Sequence, residues 1–213
     1  MKQSYTKFTI PSEEELKEII EIPGKIKGTS FKGDLEYILE KKGRGGLRMV
    51  EKETERLGYP VEYEKIKETE WYPVGLRMVS LTAILNTFNW GKKELIELAE
   101  ASTKVSFIVR LFMRYFVSTE KVFKESGPRM WKRYFNTGSL GAIDFKESKE
   151  GSYGIFRLTN FKLHPLYCLY LGHFLVGIGK LTEPRAKEMR VEEIKCMFRG
   201  DPYHEYLIKW TYR

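Results

Sequence analysis

The chain has 213 residues, of which 42% are hydrophobic and 31% are charged, and these values predict one main folded domain rather than a disordered chain. No apolar run reaches the roughly 18 residues of a membrane span, because Arg110 and Arg114 interrupt the run at 105–117. The N-terminus lacks a secretory signal, so we expect a cytoplasmic protein. The two cysteines exclude a disulfide framework, and the excess of Lys and Glu over Gln and Asn is typical of heat-adapted proteins.

The first half of the chain is predicted to be helical. Ser12 followed by Glu15 forms a capping box, so a short helix is expected to begin there and to end before Pro23. Residues 34–42 and 47–58 predict a helical hairpin interrupted by glycines at 43–46, and further helices are predicted at 73–88, 92–116 and 128–138. Residues 1–30 are interpreted as an N-terminal arm.

The second half changes character. A β-hairpin is predicted around the polar turn at 148–152, followed by an apolar helix that begins near Pro165 and by a second hairpin that turns at Gly200. We therefore predict an α+β fold, in which N-terminal helices pack on a four-stranded antiparallel sheet made by hairpin, helix and hairpin. Residues 31–213 would form this single domain.

Four side chains near the C-terminus form a candidate metal site: Cys168, Glu193, Cys196 and His204. In the last hairpin, Cys196 and His204 would be cross-strand neighbours with Cβ atoms roughly 5 Å apart. Sulfur, nitrogen and carboxylate oxygen are ligands of tetrahedral zinc. Glu193 and Cys196 would lie on opposite faces of a regular strand, so joint ligation requires a bulge or a twist. The alternative is ordinary packing of two buried cysteines and a histidine.

Aromatic residues on the predicted helices form a candidate hydrophobic pocket. The candidates, chosen by residue type and inferred facing, are Trp71, Phe107, Phe112, Trp131, Tyr134, Tyr170 and Phe174. Aromatic residues at helical spacing also form ordinary cores, and that alternative stays open.

Several segments resemble the 4-vinyl-reductase-type small-molecule-binding domains, which belong to the fold group of the haem-nitric-oxide-binding domains. They are WYPVGLRM at 71–78, GPRMWKRYFNTGSL at 127–140, HPLYCLYLGHFLVG at 164–177 and VEEIKCMFRGDPYHEYLIKW at 191–210. The resemblance implies a homodimeric, sensor-like domain that binds a small apolar or aromatic molecule and passes a signal to a protein partner.

The resemblance also implies a zinc site. In related phenol-sensing activators, zinc is bound by a helix cysteine and an E-x-x-C-x7-C hairpin. Here Cys168 lies on the helix, Glu193 and Cys196 match the start of the hairpin pattern, and His204 replaces its last cysteine. The replacement leaves a zinc site possible, because histidine is a common zinc ligand.

Haem and catalysis have less support. Haem sensors of this fold group carry a proximal histidine on a helix and a Tyr-x-Ser-x-Arg pattern, whereas residues 92–116 contain no histidine and His173 is expected to be a core residue. We therefore expect no haem.

No nucleophile elbow, phosphate loop or dinucleotide fingerprint occurs, so we expect a binding domain rather than an enzyme.

Two alternative functions remain open. The net charge of +8 and the basic region from Lys25 to Arg48 suit a nucleic-acid or other polyanion binder, although no known nucleic-acid-binding motif accompanies them. The second alternative is an enzyme or accessory factor of the 4-vinyl-reductase type.

Overall fold

A computed structural model describes residues 8–105, 124–125, 127–148 and 151–212. The described helices are α1 (Glu13–Ile20), α2 (Thr29–Arg56), α3 (Leu76–Phe88), α4 (Lys92–Val105), α5 (Gly127–Tyr134) and α6 (Pro165–Thr182). The described strands are β1 (Lys25–Lys27), β2 (Trp71–Pro73), β3 (Ser139–Lys146), β4 (Ser152–Thr159), β5 (Ala186–Lys195) and β6 (His204–Tyr212). Within these residues no helix is long and apolar enough to cross a membrane.

Helix α1 begins at the predicted capping box. The Ser12 hydroxyl accepts a hydrogen bond from the Glu15 backbone N–H at 3.2 Å, and the Glu15 carboxylate accepts one from the Ser12 N–H at 2.8 Å. Leu16 and Ile19 are buried in the same hydrophobic core as α3. The division of the chain at residue 30 stays a prediction.

Helix α2 differs from the predicted helical hairpin. The glycine-rich stretch does not form a loop, because only Gly43 leaves the helical conformation, with φ 64° and ψ −171°. Residues other than glycine rarely adopt this backbone conformation, so Gly43 allows a sharp break inside the helix. The prediction of a helical interruption is confirmed, and its length was overestimated.

The predicted four-stranded antiparallel sheet is confirmed. Its strand order is β3-β4-β6-β5, so the two hairpins meet where β4 pairs with β6. Helix α6 joins the hairpins, begins with Pro165 in its first turn, and packs against β5 and β6 as well as against α4. The fold is therefore α+β, with helices on a C-terminal sheet.

Helices α4 and α6 approach closely at Gly177. A Cβ atom there would lie 2.8 Å from the Thr103 hydroxyl oxygen and 3.0 Å from the Glu100 carbonyl oxygen. We expect Gly177→Ala to lower the free energy of unfolding by about 1 to 3 kcal/mol, because the helices must separate. Urea denaturation measures this loss.

Gly45 provides the matched control. It is exposed on α2, and a Cβ atom there would meet no atom within 4 Å. Gly45→Ala should therefore raise the free energy of unfolding by about 0.5 to 1 kcal/mol. A stabilising effect of both substitutions would contradict the close packing of α4 on α6.

Candidate functional site

The four candidate metal ligands lie together at the junction of α6 with the last hairpin. Cys168 is on α6, Glu193 is near the end of β5, Cys196 directly follows β5, and His204 begins β6. One donor atom from each side chain lies within 4.8 Å of the others. His204 Nδ1 is 3.0 Å from Glu193 Oε1 and 3.7 Å from Cys168 Sγ. The two cysteines and the histidine are buried, and the Glu193 side chain is 12% exposed.

A bulge in β5 brings Glu193 and Cys196 to the same site. Glu193 pairs with Tyr206 and Lys195 pairs with Glu205, so two steps along β5 match one step along β6. An extra residue of this kind re-aims the side chains that follow it, which removes the conflict expected for a regular strand.

The last hairpin does not have the predicted Cys196–His204 cross-strand pair. Cys196 lies outside the strand, before a 3-10 turn at Met197–Arg199, and His204 pairs with Leu158 on β4 instead. The Cys196 N–H donates a hydrogen bond to Asp201 Oδ2 at 2.7 Å, which holds the turn closed.

A backbone hydrogen bond orients the His204 ring. Nε2 lies 3.1 Å from the carbonyl oxygen of Phe161, and a carbonyl can only accept, so Nε2 carries the proton. Nδ1 is left to face Cys168 and Glu193. Metal-binding histidines are typically held in this way by a partner on the other ring nitrogen.

The cluster concentrates acidic groups in a buried site. A hydrogen bond with Cys196, together with burial, raises the pKa of the Cys168 thiol well above its usual value. Burial raises the pKa of Glu193. Burial lowers the pKa of His204, but Cys196 and Glu193 raise it more strongly, to about 9. These groups therefore retain protons unless a cation replaces them.

A second feature is an apolar cavity of about 100 Å³. Residues of α2, α3, α4, α5, α6, β3 and β4 line it, and Arg77 is the only charged one among those described. Four predicted pocket residues line this cavity: Trp131, Tyr134, Tyr170 and Phe174.

The other three predicted pocket residues do not line the described cavity. Trp71 lies on β2, where it is 39% exposed and Lys27 Nζ stands 4.0 Å from the centre of its ring. Phe107 and Phe112 lie outside the described residues. The sequence interpretation missed Tyr167, although its spacing from Tyr170 and Phe174 along α6 is the signal that could have found it.

The sequence interpretation also missed a buried ion pair at the cavity wall. The Arg77 guanidinium donates to both carboxylate oxygens of Asp34, and the Ser80 hydroxyl donates to the same carboxylate at 2.6 Å. Both members of the pair are at most 1% exposed. Burial lowers the pKa of Arg77, but Asp34, Tyr170 and Tyr167 together raise it more strongly, so Arg77 stays charged beside its counter-charge Asp34.

The basic region from Lys25 to Arg48 is partly engaged within the protein. Arg44 pairs with Glu64 at 3.0 Å, and Lys27 Nζ donates to the Thr69 carbonyl oxygen at 2.6 Å. Lys41 lies 3.6 Å from Glu40. No specific geometry here favours the nucleic-acid alternative.

No family model and no curated protein matches the chain. An H-NOX protein from S. oneidensis in the Fe(II)NO ligation state has a TM-score of 0.63 at 11% identity, and the match covers 87% of this chain and 99% of that one. A Fe(II) unliganded H-NOX protein from K. algicida gives 0.60 at 15% identity, covering 88% and 98%. An oxygen-binding H-NOX domain related to soluble guanylate cyclases gives 0.56 at 14% identity, covering 87% and 94%. The chain has the H-NOX fold.

The prediction that no haem is bound is contradicted by these H-NOX neighbours. They are described in Fe(II) and Fe(II)NO states, and another such structure probes heme distortion. The missing histidine at 92–116 was the wrong criterion, because haem iron also accepts sulfur and phenolate ligands. In the described part of the cavity wall, Met130 and the tyrosines offer such donors, and no histidine does.

The size of the cavity sets a condition on haem. The volume of about 100 Å³ is below the roughly 300–1,000 Å³ of drug-sized ligand pockets. A macrocycle would therefore enter only if the surrounding helices move apart. Haem belongs among the ligands that must be tested.

Substitution of Asp34 tests the buried pair at the cavity wall. We expect Asp34→Asn to lower the free energy of unfolding by about 3 to 5 kcal/mol, because it leaves the Arg77 charge buried without a counter-charge. Glu188→Gln is the control, since it removes an exposed pair with Arg190, and it should cost less than about 1 kcal/mol. Equal losses in urea denaturation would contradict this interpretation.

Proposed function

We propose that the protein is a sensor-like ligand-binding domain of the 4-vinyl-reductase type, with a structural zinc site beside an apolar cavity for a small apolar or aromatic molecule. The observation that carries the proposal is the convergence of four donor side chains from α6, β5, β6 and the intervening turn to within 4.8 Å. A homodimer, as implied by the resemblance, is part of the proposal.

The donor set supports zinc. Cys168, Cys196, His204 and Glu193 supply two sulfurs, a nitrogen and an oxygen, which are donor types that bind zinc in four-coordinate protein sites. The Phe161 carbonyl fixes the His204 ring from outside the cluster. A divalent cation would offset two of the three negative charges of the two thiolates and the carboxylate, so its binding free energy would stabilise the fold.

Helix α6 connects the metal cluster with the cavity. Cys168 belongs to the cluster, while its neighbours Tyr167 and Tyr170 line the cavity. Zinc would therefore fix one wall of the cavity against the sheet. A bound ligand that favours one arrangement of the remaining helices would pass its signal to a partner through them.

Metal analysis tests the zinc site. We expect native mass spectrometry and elemental analysis of unchelated protein to show one zinc per chain, and the subunit count comes from the same spectrum. Removal of zinc should lower the free energy of unfolding by about 4 kcal/mol when zinc had been present at about 1,000 times its Kd.

Two adjacent glutamates provide a matched pair of variants. Glu193→Gln should weaken zinc binding because it removes a ligand charge, and Glu192→Gln should not, because Glu192 is exposed and outside the cluster. Protein that contains no metal, and whose Tm does not change with added zinc, would refute the zinc site.

Tryptophan fluorescence tests the apolar cavity. The cavity is apolar and of the same order of size as an engineered cavity of about 150 Å³ that binds benzene, although it is smaller. We expect benzene to bind here and to change the emission of Trp131, which lines the cavity. Trp131→Phe should abolish this change. Trp71→Phe is the control, because Trp71 lies on β2 outside the described cavity wall, and it should keep the change.

Haemin is the second probe in the same experiment. A stoichiometric Soret band that Trp131→Phe weakens would make haem the ligand of this cavity. Binding of neither benzene nor haemin would contradict a ligand-binding function.

A further inference from the structure

A small cleft reaches the side of the metal cluster between α6 and the sheet. Its volume is about 30 Å³, and Cys168 and Glu193 form part of its wall together with Lys92 and Tyr206. A cavity needs about 10–15 Å³ to hold one water molecule, so this cleft has room for a molecule of two or three atoms.

Tyr206 presents an unused hydroxyl at this cleft. The residue is 1% exposed, and its hydroxyl has no hydrogen-bond partner among the described residues. Tyr206 is paired with Glu193 across the strands, so both side chains lie on the same face of the sheet. His204, two residues earlier on β6, shares that face. A buried hydroxyl that has no partner among the described residues is available to donate a hydrogen bond to a water molecule or an ion in the cleft.

Glu193 has a second partner that could hold its carboxylate away from the cluster. Its Oε1 is 3.0 Å from His204, whereas its Oε2 is 4.0 Å from Arg199 Nη1. Arg199 is itself fixed, because its Nη2 donates to the Glu193 carbonyl oxygen at 2.8 Å. The carboxylate therefore lies between a metal ligand and a cation.

We propose that the metal centre is open on this side and binds one small anion of two or three atoms in place of Glu193. This inference rests on the metal site of the proposed function. Cys168, Cys196 and His204 would hold the metal, while the Glu193 carboxylate would stay ionised and pair with Arg199. The anion would take the position that Glu193 leaves, and Tyr206 would donate a hydrogen bond to it. The exposed Lys92 ammonium would attract anions to the cleft.

Cobalt substitution with azide as the probe tests this inference. Co²⁺ bound by two thiolates gives visible bands that report its coordination. We expect azide to shift these bands in a saturable way, with no loss of cobalt. Tyr206→Phe should raise the Kd for azide about tenfold, the effect of losing one hydrogen bond to an ion. Arg199→Gln should raise it as well, because the displaced carboxylate loses its partner.

Matched controls separate these effects from general disturbance of the sheet. Tyr153→Phe removes an exposed hydroxyl that donates to Asp144 on the other hairpin, and Arg190→Gln removes an exposed cation that pairs with Glu188. Neither should change the Kd for azide.

The outcomes distinguish the two proposals. Cobalt bands that form but do not change with azide would overturn the open site and leave the structural metal site intact. A Kd for azide that is equal in wild type and Tyr206→Phe would overturn the role of Tyr206. The absence of cobalt bands would overturn the metal site and this inference together.

Discussion

The close approach of α6 to its neighbours on two sides is the constraint on which both sites depend. The close approach of α6 to α4 is possible because Gly177 has no side chain that would clash with Thr103 and the Glu100 carbonyl oxygen. Towards the sheet, Gly172 leaves room for the Tyr206 ring, which a Cβ atom would approach to 3.3 Å. The same helix then carries Cys168 to the last hairpin and Tyr170 to the cavity.

The two sites handle buried charge in different ways. At the cavity wall, Arg77 and Asp34 neutralise each other and the Ser80 hydroxyl donates a third hydrogen bond to the carboxylate, so that pair needs no further counter-charge. In the metal cluster, two thiols and a carboxyl surround one histidine, so neutrality requires either bound protons or a cation. The cluster therefore holds protons that a cation can replace, whereas Arg77 and Asp34 already neutralise each other, and this difference favours the cluster as a metal site.

Local sequence signals predicted much of the fold. The capping box at Ser12, the proline at the start of α6 and the polar turn at 148–152 are each defined by neighbouring residues. The pairing of Asp34 with Arg77 could not be predicted, because the two residues are 43 positions apart and either could have been a surface charge.

The candidate metal ligands were chosen from residue type and from the resemblance. The alternation of a strand predicted that Glu193 and Cys196 need a bulge or a twist to share a site, but not where it lies. The bulge after Glu193 depends on how β5 fits β6, and no residue in the sequence specifies it. Trp71 was assigned to the pocket by its residue type, because large aromatic side chains are usually buried. On β2 it is instead partly exposed, and Lys27 stands over its ring. The exclusion of haem rested on a missing helix histidine and a missing Tyr-x-Ser-x-Arg pattern, and the H-NOX neighbours contradict it.

The proposed metal site would determine which cavity wall can move. If a metal binds Cys168 together with residues of the last hairpin, it would tie α6 to the sheet, so a ligand larger than the present 100 Å³ would have to displace another wall. Among the other elements that line the cavity, helix α5 has only eight residues. It contributes Met130, Trp131 and Tyr134 to the cavity wall. Accommodation of a ligand is therefore expected to move α5, which contacts β1 and β3 and would carry the displacement to the surface.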